Sequence, residues 1–314
     1  MKKTIIILAI ALGILNTSNL KIQAQDKLEG TLSLSGAFAL YPLAVKWAEE
    51  FKKIHPKVKI DISAGGAGKG LTDALTNMVD IGMVSRDINS EESKKGAYPI
   101  SVTKDAVVAV VNASNPDAKK IIANGISRDA LSKVWVSGKA TLWSDLVKGG
   151  TKTRIHTYTR SDASGAAEIW AKYFGKKQED LLGVAVFGDP GLATAVQKDP
   201  IGIGYNNIGY AYDHTSRKQQ KGLLVVPLDL NNNGKIDPDE DFYSSIDKIV
   251  EAIAEGKYPS PPARELYFVT NGKPSKPLLR EFIKWVLTDG QKYVGESGYI
   301  NLKQDKLSNE LKKL

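Results

Sequence analysis

The chain has 314 residues, 42% of them hydrophobic, no cysteine and a net charge of +8. Without cysteine there is no disulfide, no thiolate metal site and no lipid-modified N-terminal cysteine. The basic excess suits anionic ligands, but the lysines are scattered along helices such as Lys46 to Lys53 and form no basic stripe with interleaved aromatics, which excludes nucleic acid as the expected partner.

Lys2 and Lys3, an apolar run from Ile5 to Leu15 and a polar stretch ending at Ala24 have the pattern of a secretory signal peptide, 1–24. The run is shorter than the roughly 20 residues that a spanning helix needs. A periplasmic protein without a lipid anchor is expected, its charge falling to +5 once Lys2, Lys3 and Lys21 leave. About 290 remaining residues exceed one ordinary core and point to two lobes.

Leu32 to Ser35 reads as a strand and Pro42 to Ile54 as a helix, with Leu43, Trp47, Phe51 and Ile54 at helical spacing. Val58 to Ser63 is the next strand, Gly68 to Asn77 a helix, and Asp80 to Val84 a strand leading into Ser85-Arg86-Asp87. The run Ile100 to Asn112 is strongly strand-like and is expected to cross between lobes. Strand Arg154 to Tyr158 and helix Ala166 to Phe174 repeat the grammar. Strands Ile201 to Tyr205, Leu223 to Leu228 and Leu266 to Thr270 follow, then helices Lys276 to Thr288 and Gln291 to Glu296. The Lys-rich tail Asn301 to Leu314 reads as a surface helix. This alternation predicts an α/β protein with helix-covered sheets. With no linker in sequence, two lobes must be joined by crossing strands, giving 25–105 and 263–314 for lobe I and 106–262 for lobe II.

Three strand-to-helix turns are rich in small residues: SGAFALYP (Ser35 to Pro42), SAGGAGKG (Ser63 to Gly70) and TRSDASGAA (Thr159 to Ala167). A helix N-terminus presents unpaired N–H groups and the positive end of a dipole, so three such ends converging would replace much of an oxyanion's water shell. Each alone is also an ordinary tight turn. The second is not a nucleotide-binding P-loop: Gly70 follows Lys69 where Ser or Thr is required, and Ser63 stands where the first glycine belongs. In the third, Arg160 offers two parallel hydrogen bonds to an oxyanion, Asp162 a partner for the guanidinium and Ser164 a hydroxyl. Arg86, after the strand Asp80 to Val84, is expected to bring a second cation to the same cleft.

DLNNNGKIDPDE, Asp229 to Glu240, satisfies the calcium-loop pattern. Asp229, Asn231 and Asn233 stand at alternate positions, Gly234 makes the sharp turn, Lys235 offers its carbonyl, and Asp237 and Glu240 complete the set. The preceding strand disfavours a helix-loop-helix switch, so a structural calcium in an insertion of the second lobe is expected. Catalysis is not: His55, His156 and His214 are isolated, and Ser164 lies outside a G-x-S-x-G elbow.

At these residues the chain resembles the phosphate-binding proteins of the bacterial ABC phosphate uptake system, of the type II periplasmic binding protein family. The resemblance runs from about Leu28 to Thr288 and is carried by SAGGAGKG, VDIGMVSR (Val79 to Arg86), TLWSDL (Thr141 to Leu146), TRSDASGAA and DPIGIGYNNIGYAY (Asp199 to Tyr212) in that order. It implies two α/β lobes joined by crossing hinge strands, phosphate between them, no catalytic cofactor, a monomer, and delivery to an ABC permease in the inner membrane. It further implies that Arg160 grips the anion with Asp162 as its partner, that Ser164, Gly165 and Ala166 donate at one helix start, and that Ala39, Leu40 and Tyr41 on the first turn and Ala67 and Gly68 on the second face the ligand. Family members commonly place Ser or Thr in the first turn and at the positions of Ala67 and Ala166, and some place Asp at that of Arg86. Phosphate over sulfate, molybdate or an organic phosphate therefore comes from the resemblance, and a sensor or adhesion role on the same fold stays open.

Overall fold

The computed structural model describes residues 28–314; the signal peptide read at 1–24 lies outside the described residues. β1 (Gly30–Gly36) and β2 (Val58–Ala64) run parallel, with α1 (Tyr41–Ile54) as their crossover. α1 buries Leu43, Trp47 and Phe51 of the predicted stripe, while Ile54, its last residue, is exposed. α2 (Ala67–Leu75) leads into β3 (Ile81–Val84), which pairs in parallel with the other side of β1. α3 (Ser90–Lys94) opens with a reciprocal cap between Asn89 and Glu92.

β4 (Ala97–Asn112) is one long buried strand, and its near-continuous apolar run is what a strand covered on both faces requires. After it come α4 (Ala118–Asn124), β5 (Ile126–Ser127) and α5 (Arg128–Trp135). β6 (His156–Arg160), α6 (Gly165–Tyr173), β7 (Val184–Val186), α7 (Gly188–Lys198) and β8 (Gly202–Asn207) form a second parallel unit, with β6 between β7 and β8. α8 (Ile208–Ala211) precedes the stretch predicted as one strand, Leu223 to Leu228. It is two, β9 (Leu223–Val225) on β4 and β10 (Leu228–Asp229) on β5. Pro227 between them has no N–H for a ladder, and the chain changes partner there. α9 (Ile246–Ala254) then leads to β11 (Ala263–Asn271), α10 (Pro277–Leu287), α11 (Lys292–Glu296) and α12 (Gln304–Leu311).

The sheet order β2-β1-β3-β11-β4-β8-β6-β7 passes through β4, which pairs antiparallel with β11 over Ala97 to Ala106 and with β8 over Val107 to Val111. Two hydrophobic cores flank this crossing. One gathers Leu32 to Val102 with Leu266 to Leu307, the other Ala106 to Ala263 with Ile300. The architecture is thus two α/β lobes sharing hinge strands. The tail is more than a surface helix: Leu307 and Glu310 of α12 are buried, and the Glu310 carboxylate accepts the Ser101 N–H of β4 at 3.0 Å. Among the described residues no helix is long and apolar enough to cross a membrane.

Candidate functional site

The C-terminal ends of β1, β2 and β3 are tied into one edge. The Gly65 and Gly66 N–H groups donate to the Gly36 carbonyl at 2.8 and 3.1 Å, and the Ala37 N–H to the Met83 carbonyl at 2.8 Å. Gly36 has φ +132°, and a Cβ there would lie 2.3 Å from the Met83 oxygen, so only glycine permits this approach. In open α/β sheets such strand ends are where ligands bind.

The turn after β6 faces this edge directly. The Gly68 N–H donates to the Ala163 carbonyl at 3.0 Å. A Cβ on Gly66 would lie 2.7 Å from Asp162 Oδ2, one on Gly68 2.6 Å from Ala163 Cβ, and one on Gly165 2.2 Å from Ser85 Oγ. The starts of α2 and α6 therefore meet across the cleft, and the N–H groups of Ala67, Gly165 and Ala166 find no acceptor among the described residues. Ser164 caps α6 by accepting the Ala167 N–H at 3.3 Å, which leaves its own hydroxyl proton free to donate. Ala39 on the first turn is buried nearby, its carbonyl accepting the Tyr299 hydroxyl at 2.7 Å. Leu40 and Tyr41 depart from the expectation. Their N–H groups close the turn onto the Ala37 and Phe38 carbonyls at 3.1 and 3.2 Å, and the Leu40 side chain is fully buried.

Arg160 lies on the cleft floor at the end of β6, its side chain 1% exposed. Nε and Nη2 fork onto Asp162 at 2.8 and 2.7 Å, and Nη1 donates to Asp189 Oδ2 at 2.6 Å. The Phe38 ring from the first turn covers the guanidinium at 5.5 Å. Burial disfavours its charge, but Asp189 and Asp162 outweigh that and hold its pKa above the ordinary value. Three of its five N–H bonds are thus fixed, and the remaining two give it capacity for an anion.

Asp189, Arg264 and Asp105 lie in none of the motifs read from sequence, and Asn207 lies in DPIGIGYNNIGYAY without an assigned role. Asp189 Oδ1 accepts the Asn207 amide at 2.6 Å, Asn207 Oδ1 accepts Arg264, and Arg264 donates to Asp105 at 2.9 Å and to the Gly165 carbonyl at 2.7 Å. A buried chain of polar contacts therefore runs from the floor arginine to both hinge strands, β4 and β11. Asp189 lies at the start of α7, GDPGLA, a helix not among those read from sequence, where Pro190 in the first turn costs nothing.

Arg86 is placed differently from the expectation of a ligand-facing cation. Its guanidinium forks onto Glu92 at 2.8 and 2.7 Å, reaches Glu168 of the facing lobe at 2.9 Å and donates to the Asp87 carbonyl. Asp87 beside it pairs with Lys172 of the facing lobe at 2.8 Å. Both residues bridge the cleft at its rim. Along that rim Gly68, Arg86, Asp162, Ala163 and Glu168, together with the segment Lys176 to Glu179, line a groove of about 640 Å³ that Arg160 and the N–H groups of Ala67, Gly165 and Ala166 do not line.

The loop Asp229 to Glu240 folds on itself. Asp229 accepts the N–H groups of Asn233 and Gly234, and Glu240 those of Leu230, Asn231 and Asp237. Asp237 takes the amides of Asn231 and Asn233 and the Lys235 ammonium. The oxygen donors are of the type a hard cation takes. As they stand, no group of three His, Asp or Glu among the described residues is arranged to hold a metal ion.

Two hinged lobes with helix starts and a guanidinium between them define a solute-binding protein. The chain belongs to the PBP superfamily: the sequence model of the PBP superfamily domain matches residues 22–290. It is 25% identical over 310 residues to the phosphate-binding protein PstS of Methanocaldococcus jannaschii, covering 83% of this chain and 79% of that protein. To PstS of Bacillus subtilis it is 32% identical over 193 residues, covering 61% of each. Its fold matches that of a phosphate ABC transporter substrate-binding protein of Clostridium perfringens solved with bound phosphate, with a TM-score of 0.71 at 23% identity, over 87% of this chain and all of that one.

Proposed function

We propose that this protein is an exported, monomeric solute-binding protein that captures inorganic phosphate between its lobes and hands it to an ABC importer's membrane permease, with no catalytic step. The observation that carries the reading is the gathering of the unclaimed N–H groups of Ala67, Gly165 and Ala166 near Arg160, in a chain whose relatives include proteins named for phosphate binding. Donors held in place before the ligand arrives lower the ordering cost of binding, and a ligand that touches both lobes shifts the population toward the closed form. Asp162, Asp189 and Asp105 outnumber Arg160 and Arg264, so the anion is held by directed hydrogen bonds and not by net positive charge. Titration calorimetry with phosphate, sulfate and molybdate tests this. Phosphate is expected to bind with sulfate and molybdate at least about tenfold weaker; preferential binding of either of the others contradicts it.

Calcium at Asp229 to Glu240 is a second, separate proposal. It is favoured by Gly234 at φ +79° in the sharp turn and by the burial of Asp229 and Glu240 at the two ends of the loop. A bound cation would take the Asp237 oxygens from the Lys235 ammonium and brace this part of the second lobe. Calcium added to chelator-treated protein at about a hundred times its Kd is expected to stabilise it by about 2.7 kcal/mol. Asp229→Ala is expected to abolish that gain and leave phosphate affinity alone, and an unchanged melting temperature with calcium contradicts the assignment.

A further inference from the structure

The alanines at positions 67 and 166 leave the cleft short of hydroxyl donors, and the hydroxyls near it are mostly committed. Ser35 donates to Asp73 at 2.6 Å, and Thr159 is bonded to Tyr205 at 2.8 Å. Ser85 is the exception from the first lobe, as Ser164, with its proton free, is from the second. It follows β3 at the cleft edge, is 2% exposed, and its hydroxyl has no hydrogen-bond partner among the described residues. It reaches across the cleft to the first residue of α6: a Cβ on Gly165 would lie 2.2 Å from Ser85 Oγ. The N–H groups of Gly165 and Ala166 at that helix start are likewise unclaimed. Ser85 Oγ is not among the sealed side-chain atoms that lack a partner, so this hydroxyl stays open, and set beside two orphaned N–H donors it shares their target.

We propose that Ser85 is a ligand-binding residue, donating its hydroxyl proton from the first lobe to the oxyanion held at the start of α6 in the second. The inference rests on the oxyanion reading and names a contact which that reading does not contain. Ser85 takes the role of the hydroxyls missing at Ala67 and Ala166, and because it and α6 belong to different lobes, its bond to the ligand forms only on closure. Arg86 beside it then has the separate task of pairing with Glu168 at the rim.

The test is calorimetric titration of the parent, Ser85→Ala and Ser85→Ala/Ala67→Ser with inorganic phosphate, alongside melting of each ligand-free protein. Loss of one hydrogen bond to a charged ligand is expected to weaken phosphate binding by about 10- to 100-fold in Ser85→Ala. The ligand-free melting temperature should stay put, and Ala67→Ser should recover part of the affinity. Ser85→Ala binding as tightly as a phosphate-binding parent overturns the role of Ser85 alone. A loss of affinity accompanied by a lower ligand-free melting temperature and no recovery by Ala67→Ser also overturns it. A parent that takes up no phosphate overturns the oxyanion reading and this inference together.

Discussion

Arg160 ends β6 in one lobe and Arg86 stands just past β3 in the other, yet the structure uses them in opposite ways. Arg160 is sealed on the cleft floor by two carboxylates of its own lobe, with its side chain 1% exposed. Arg86 stands at the rim and divides its fork between Glu92 of its own lobe and Glu168 of the other, which is 48% exposed. A buried guanidinium with fixed partners keeps its geometry whether the cleft is open or shut, which suits it to the proposed anion. A rim guanidinium whose partner lies across the cleft gains that partner only on closure, so it serves the closed state. What separates them is the placement of carboxylates around equally charged side chains.

The largest test of this contrast is Arg160→Ala, which strands Asp162 and Asp189 in a buried site. It is expected to cost about 3–5 kcal/mol in stability, read from denaturant melts. Arg160→Lys keeps a charge without the fork, and phosphate affinity measured by calorimetry should fall at least about a hundredfold while the fold persists. A much smaller effect is expected at the rim. For Arg86→Gln the cross-cleft pair is worth about 0.2–1 kcal/mol, so phosphate affinity should drop about fivefold at most, and the difference from the parent should shrink at high salt. A loss as great as that of Arg160→Lys would abolish the distinction.

A further expected effect is a pH dependence of the buried network. Burial pushes the Asp105 carboxyl up from 3.8 to about 6, with the Arg264 fork opposing. The folded protein therefore holds a proton there that the unfolded chain has already lost, and this group's contribution to stability falls as pH rises from about 4 to about 6, then stays flat. Denaturant melts across that window should show a shallower fall for Asp105→Asn than for its parent; identical slopes would show that the floor network is not the source.

Local chemistry made much of this legible in sequence. The stripe Leu43, Trp47 and Phe51, the long apolar run of β4 and the small-residue turns announce helices, a covered strand and helix starts, because each follows from spacing or residue size. The turn residues Ala67, Gly68, Arg160, Asp162, Ser164, Gly165 and Ala166 come together at one cleft for the same reason. What sequence could not convey depends on contacts between distant segments. Asp189, 29 residues from Arg160, has no motif, and nothing near Arg86 in sequence reveals that Glu168 will meet it. The Leu40 and Tyr41 amides follow from how tightly the first turn closes, which small residues allow but do not dictate.

The most direct measurement is the position of arsenate, a heavier analogue of phosphate, located by anomalous scattering in crystals of the protein grown with it. One site is expected between the starts of α2 and α6, its oxygens within about 3 Å of Arg160 and of the Ala67, Gly165 and Ala166 N–H groups. Arsenate bound only outside the cleft, or bound in it without touching Arg160 or either helix start, would contradict the account.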